Sequence, residues 1–317
     1  MELTIGIGTT FDYSIPLEPM LNMIARAGFH AITIGAGDIP HSGYDSIEGR
    51  DRIRSLAAAS DLVVNSVHAP FGPECDVSTP DERTSGPPPQ AEADEGGRHA
   101  GLPLRRRPSI ARLQAIERVK VAVDAASALG SKVVIVHLTD RFEASETRER
   151  IGAVRESLSE LLPYARERGV RLAAENLPSL LGMQVFEVAL EEFPELGVCY
   201  DSSHALLSGS SFGVLQRFRE RVVELHISDN RGKLDDHVLP FEGVFEWEEF
   251  THHLSYLPLV HVMMLEVEVR ESEFKDTEEF LRQAALRARR LAGTREESQG
   301  LKVSKPKEAE CRVQSQV

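Results

Sequence analysis

Nine residues of this 317-residue chain have side chains of the types that hold divalent metals, and each lies at or after the end of a short β-rich run. His68 stands near the end of LVVNSVHAP, His137 near the end of KVVIVHL, and Glu175 near the end of RLAAENL. Asp201 and His204 lie in YDSSHA, His226 in LHISDN, Asp235 and His237 in KLDDHVLP, and Glu266 in MLEVE. Taken singly, a histidine in such a place is more often a hydrogen-bonding residue than a ligand. A glutamate such as Glu175, at the exit of an apolar strand, is costly to bury unless it is paired or bound to a metal. The argument rests on position: six successive strand candidates put a carboxylate or an imidazole at the same end. Imidazoles and carboxylates without thiolate suit Zn²⁺, Mn²⁺, Co²⁺ or Fe²⁺, with Mg²⁺ admissible, rather than Ca²⁺. Between one and three ions could be accommodated by the nine.

The elements that must position these residues alternate along the chain. Strand candidates span 3–10, 31–37, 62–70, 132–138, 171–177, 197–203, 222–228 and 261–268, with helical patterns between them and one after the last. In 147–169, Ile151, Val154, Leu158, Leu161, Leu162 and Ala165 recur at helical spacing. Gly28, Gly130 and Gly169 fall where helices should stop. Repeated β-then-α units with near-continuous apolar strands predict a parallel sheet covered by helices. Eight units predict a closed (β/α)8 TIM barrel over residues 1–293 as one domain. A doubly wound open sheet is the alternative, but no G-x-G-x-x-G follows the first strand. Alternate strand residues share a face. His137 therefore shares the parity of Val133 and Ile135, Glu175 that of Ala173, and Glu266 that of Val262 and Met264, so all three can face the barrel axis. Glu224 shares the parity of His226, and Arg171 is its one evident candidate partner.

Two segments break the rhythm. Residues 78–108 are rich in Pro, Gly and charge, without periodicity, and read as a disordered insertion or as a lid over the site. Residues 294–317 read as a disordered tail. Hydrophobic residues make up 41% and charged residues 27%, the composition of a globular domain. No apolar run approaches the length of a membrane helix, and no signal-like segment opens the chain, so the expected location is cytoplasmic. Three cysteines (Cys75, Cys199, Cys311) without paired spacing argue against disulfides and thiolate zinc. The net charge of −14 makes nucleic acid an unfavoured partner and leaves oligomeric state open. Trp247 is expected to pack its helix onto the barrel, and His252 and His253 to lie away from the cluster. The short basic run Arg105–Arg107 is not a nucleic-acid site.

The motifs resemble those of the xylose isomerase-like barrel superfamily, which contains sugar phosphate isomerases/epimerases and the endonuclease IV family. The specific pieces are HAP at 68–70, Glu-Asn at 175–176, D-x-x-H at 201–204, H-I-S-D-N at 226–230 and D-x-H at 235–237, closed by Glu266. The resemblance implies a metal held by Glu175, Asp201, His226 and Glu266. In the endonuclease branch two further metals would use His68 and His137, sharing Glu175, and His204, Asp235 and His237. It further implies a metal-dependent isomerase or epimerase in which Glu175 and Glu266 move protons through a metal-stabilised enediolate. His204 would then touch substrate oxygens, and Arg231 is a candidate for a substrate hydroxyl or phosphate. An abasic-site endonuclease and a non-catalytic metal- or sugar-binding barrel are the alternatives. Against the nuclease, the loops after the first two strands, TTFDYSIPLEP and GDIPHSGYDSIEG, are acidic, and Asp236 stands where that branch has arginine.

Overall fold

The computed structural model describes residues 3–35, 42–83, 106–107 and 109–293. Most of the predicted insertion, part of the loop after the second strand (36–41) and the predicted tail (294–317) lie outside the described residues.

Eight parallel strands form one sheet: β1 (Thr4–Gly8), β2 (Ala31–Ile34), β3 (Val63–His68), β6 (Val133–Val136), β7 (Arg171–Glu175), β8 (Gly197–Asp201), β9 (Val222–His226) and β10 (Val262–Leu265). Their order, β10-β1-β2-β3-β6-β7-β8-β9, follows the chain around a ring. The ring closes above the last paired residues of β9 and β10. There Ile227 N donates to Met264 O at 3.0 Å, and Glu266 N to Ile227 O at 3.1 Å. The expected TIM barrel is therefore present, nearly closed, and its seam lies beside two of the expected ligands. A two-stranded antiparallel ribbon, β4 (Glu82–Arg83) with β5 (Arg106–Arg107), stands at the base of the insertion, which the sequence pattern did not foresee.

Helices α1 (Leu17–Arg26), α2 (Ile47–Ala59), α3 (Ile110–Leu129), α4 (Thr147–Glu167) and α5 (Leu180–Glu192) cover the first strands. Two short helices, α6 (Ser202–Leu207) and α7 (Gly213–Phe218), link β8 to β9, and α8 (Trp247–Leu254) and α9 (Thr277–Ala292) complete the ring. Helix starts are capped by Ser46, Ser109, Ser179, Asp201 and Asp276, whose side chains accept backbone N–H groups that have no partner within the helix. At the other end, Gly130 takes φ +80° and ends α3 in the left-handed region that disfavours a Cβ.

Strand parity divides the interior in two. Val134, Val136, Leu172, Ala174, Val198 and Tyr200 belong to the large apolar core shared with the helices. Ile135, Ala173 and Cys199 form a separate small cluster, with Val133 and Val223 against it. The small cluster is the apolar floor inside the barrel, and the metal-type side chains lie one step further along the same parity.

Candidate metal centre

The strand ends converge on one carboxylate. Glu175 is 1% exposed, and its Oε2 lies 3.1 Å from His68 Nε2, 3.2 Å from His137 Nε2 and 3.4 Å from His226 Nδ1. Its Oε1 lies 3.2 Å from His204 Nδ1. Glu266, arriving from β10 across the seam, brings Oε2 to 2.8 Å from His226 Nδ1. Beyond Glu175, Asp235 Oδ2 sits 2.9 Å from His204 Nε2 and 3.0 Å from His237 Nε2. All nine residues singled out in the sequence therefore meet at one end of the barrel.

One buried oxygen in this cluster, Asp201 Oδ2, has no hydrogen-bond partner, and His226 Nδ1 has only its ion-pair contacts with Glu266 and Glu175. Asp201 spends its other oxygen on the N-cap of α6, accepting from His204 N at 2.6 Å. A buried carboxylate oxygen without a donor is unfavourable. Both atoms can ligate a cation. One ligand atom each from Glu175, Asp201, His226 and Glu266 lies within 4.8 Å of the others. This donor set fits a divalent metal. The same spacing holds for the trio His204, Asp235 and His237, and for His68, Glu175 and His226.

The histidine rings are oriented by backbone carbonyls. His68 Nδ1 faces Ala69 O at 2.7 Å, His204 Nδ1 faces Asn176 O at 2.9 Å, and His237 Nδ1 faces Glu266 O at 3.1 Å. A carbonyl oxygen only accepts, so each Nδ1 carries a proton and each Nε2 of the neutral ring presents a lone pair. Those three lone pairs point at carboxylates about 3 Å away, where either a proton or a metal must lie between.

The charge balance follows the same logic. Burial pulls His204, His226 and His237 toward the neutral form, but the facing carboxylates, and for His226 also the Cys199 thiol, outweigh it. His204 and His226 are held well above the usual imidazole range, and His237 at about 10. Burial favours protonated Glu175, yet the surrounding imidazoles hold it well below the usual carboxylate range. Glu266 is similarly held at about 2, chiefly by His226 against its burial. Asp201 goes the other way. Desolvation, with the charges of Glu175, Asp235 and Glu266, lifts it to about 7 despite His204.

Several expectations need adjusting. The expected pair His68 and His137 does share Glu175 Oε2, and His68 and Glu175 also group with His226, their ligand atoms lying within 4.8 Å of one another. Arg231 does not join the nine. It lies in the loop after β9, with Nη1 3.6 Å from Asp236 and Nη2 donating to Glu271 O at 3.2 Å. Glu224 is not paired with Arg171. It accepts from Asn65 Nδ2 at 2.6 Å, because Asn65 lies where the β2–β3 register slips and reaches across the barrel. Trp247 packs as expected and donates its indole N–H to Asp229 at 2.9 Å. His253 stacks on Phe212, away from the cluster.

Some contributors carried no individual signal. Asn176, seen only as part of a motif, ties β7 to β8 by donating to Asp201 O and accepting from Asp201 N, each at 2.8 Å. Ser203 Oγ donates to Asp235 and fixes the second trio from beneath. Phe71, 52% exposed, stacks on the His137 ring at 4.9 Å and forms an aromatic wall at the mouth. Only the Glu-Asn adjacency pointed to any of these.

Comparison with known proteins follows from this geometry. The family model described as "Xylose isomerase-like TIM barrel" matches residues 21–289. The chain belongs to the xylose isomerase-like TIM barrel family. Among curated relatives, an uncharacterised protein of Sinorhizobium fredii, y4fM, is 28% identical over 257 residues, covering 77% of this chain and 78% of that one. Among solved structures, a D-tagatose 3-epimerase-like protein superposes with a TM-score of 0.69 at 19% identity, covering 92% of this chain and 96% of its own. A 3-keto-D-glucoside 4-epimerase from E. coli gives 0.62 at 13% identity, covering 92% and 99%. At these identities the structures establish the shared fold of this xylose isomerase-like barrel and no more.

Proposed function

We propose that this barrel is a divalent-metal-dependent isomerase or epimerase of a sugar or related hydroxy-carbonyl compound. The observation that carries the reading is the four-residue group Glu175, Asp201, His226 and Glu266, with buried Asp201 Oδ2 left unpartnered inside it and His226 Nδ1 facing two carboxylates. These four residues would hold the metal, with Zn²⁺ or Mn²⁺ best matched to the donors. A bound divalent ion would supply Lewis-acid polarisation of adjacent substrate oxygens. Glu175 and Glu266 reach the mouth from opposite flanks of His226. One carboxylate takes the proton from the carbon next to the carbonyl. The other relays a proton from the imidazolium beside it to the opposite face for epimerisation or to the neighbouring carbon for isomerisation. The first glutamate is then protonated and one imidazole neutral, and the two reset by returning that proton directly or through solvent. We assign His204 to substrate oxygens and Arg231 to a hydroxyl or anionic substituent at the rim. Several structurally similar barrels are epimerases of free or keto sugars, which supports a carbohydrate substrate.

We further infer a cytoplasmic setting; among the described residues no helix is long and apolar enough to cross a membrane. The second trio, His204, Asp235 and His237, favours one other reading: a multinuclear hydrolase acting on phosphodiesters. Metal analysis separates the two. The epimerase reading expects one tightly held ion per chain, lost in Asp201→Asn. Three ions per chain, together with nicking of abasic-site DNA, would replace it with the hydrolase.

A further inference from the structure

The opposite end of the barrel carries a cluster that the chemistry above does not use. A cleft of about 340 Å³ opens at the starts of β6 and β7, where α4 turns into β7. Its polar lining is Lys132, Arg166, Arg171 and Glu195, and its wall is Leu162, Ala165, Val170 and Leu172. Arg171 is the anomaly. It starts β7 with the inward parity of Ala173, and its Nε donates to the Glu195 carbonyl at 3.2 Å. Among the described residues no carboxylate oxygen lies within 4 Å of its guanidinium, although the chain has 50 acidic residues and only 36 basic ones. Burial alone pulls its pKa down, with no anion opposing it. A second cation, Arg221, is close enough to interact with it; the Arg221 guanidinium is committed to the carbonyls of Leu190, Phe193 and Leu196 and also feels the Glu195 carboxylate. A half-buried guanidinium beside a second one, lining a cleft with Lys132 and Arg166, faces more positive charge than the single lining carboxylate, Glu195, can balance.

We propose that this cleft binds a small organic anion, with a phosphate or carboxylate group on Arg171 and Lys132 and an apolar body along Leu162, Val170 and Leu172. Arg171 presents the planar fork that matches either anion head. The apolar wall favours a ligand with a hydrocarbon or aromatic part over a bare ion. Occupancy is independent of the metal centre, because the cleft lies at the other end of the strands.

The test is calorimetric titration of the full chain, prepared with its metal, using inorganic phosphate, phenyl phosphate and benzoate as probes. All three should bind, phenyl phosphate roughly tenfold tighter than inorganic phosphate because its ring meets the wall. Arg171→Met, which keeps the aliphatic stem, should weaken phenyl phosphate binding at least about tenfold. Glu195→Gln removes the one acidic side chain of the lining and should tighten it, a change that a purely structural Arg171 would not produce. Asp235→Asn, at the metal end, should leave binding unchanged. The proposal is overturned if no probe binds, if Arg171→Met and Glu195→Gln both bind like the parent, or if Asp235→Asn abolishes binding.

Discussion

At the scale of residues, Asp201 and His226 anchor the proposed chemistry, because Asp201 ends in a buried oxygen that no protein group satisfies and His226 Nδ1 faces the carboxylates of Glu175 and Glu266. Glu175 and Glu266 surround the same point and are both held ionised by their imidazole neighbours. An ionised carboxylate beside a Lewis acid is the form needed to accept a carbon-bound proton. Glu266→Gln is therefore expected to lower the proton-transfer rate by roughly 10²–10⁴-fold. The check is kcat on a responsive sugar with bound metal measured in parallel; full activity in Glu266→Gln would remove this residue from the mechanism. The identities of all nine cluster residues were legible in the sequence, since metal-type side chains at successive strand exits leave a pattern by position alone. Their pairing was less so. His226 groups with His68 and Glu175 as well as with Glu266, a sharing that strand parity does not encode. Arg231 had no periodicity to place it in the sequence, and in the fold its neighbours at the rim are Asp236 and Glu271.

At the scale of elements, the site depends on two braces. The first is Asn176, whose amide joins β7 to β8 on both sides of Asp201. It also leaves its own carbonyl for His204 Nδ1. Asn176→Ala should weaken metal affinity by roughly 10–100-fold, as loss of an outer-layer partner does, measured by competition with a chelator. An unchanged affinity would mean that the strand ends hold their places without it. The second brace is Asp229, whose carboxylate accepts the N–H groups of Asn230, Phe241 and Phe245 and the indole of Trp247. It shapes the long loop carrying Asp235 and His237. The approach is tight: a Cβ on Gly243 would come within 2.3 Å of Asp229 Oδ1. Asp229→Ala leaves several buried donors unsatisfied and should cost about 3 kcal/mol of stability in chemical denaturation. The eight strands were readable because each is a short apolar run. The β4–β5 ribbon was not, since two-residue strands within a charged, Pro-rich stretch carry no alternation to detect.

At the scale of the whole molecule, the barrel concentrates its titrating groups at one end, so metal and proton compete there. Asp201, raised to about 7, and His237, raised to about 10, both contribute stability at low pH that is lost as pH rises through those values. Glu266, depressed to about 2, contributes above its ordinary 4.5 and loses that contribution as pH falls toward 2. With chelator present, the melting temperature should peak near pH 4 to 4.5, fall from there to pH 7 as Asp201 loses its proton, and fall further toward pH 10 as His237 does. Saturating metal should flatten or reverse that decline, since the ion takes over from the protons. A melting temperature that climbs steadily to pH 9 in chelator would contradict this arrangement. The barrel itself could be anticipated because eight alternating units leave few other ways to bury continuous apolar strands. Glu224 could not be placed, since its partner Asn65 reaches it through a register slip between β2 and β3.

In the proposed reaction Glu175 and Glu266 move a carbon-bound proton next to a metal-polarised carbonyl. Solvent deuterium uptake at the carbon adjacent to the carbonyl, followed by NMR over a panel of ketoses and keto sugars in D₂O, tests it most directly. The account predicts uptake with at least one sugar in the metal-loaded protein, abolished by chelator and by Glu266→Gln. No uptake with any sugar in the fully metal-loaded protein would contradict it.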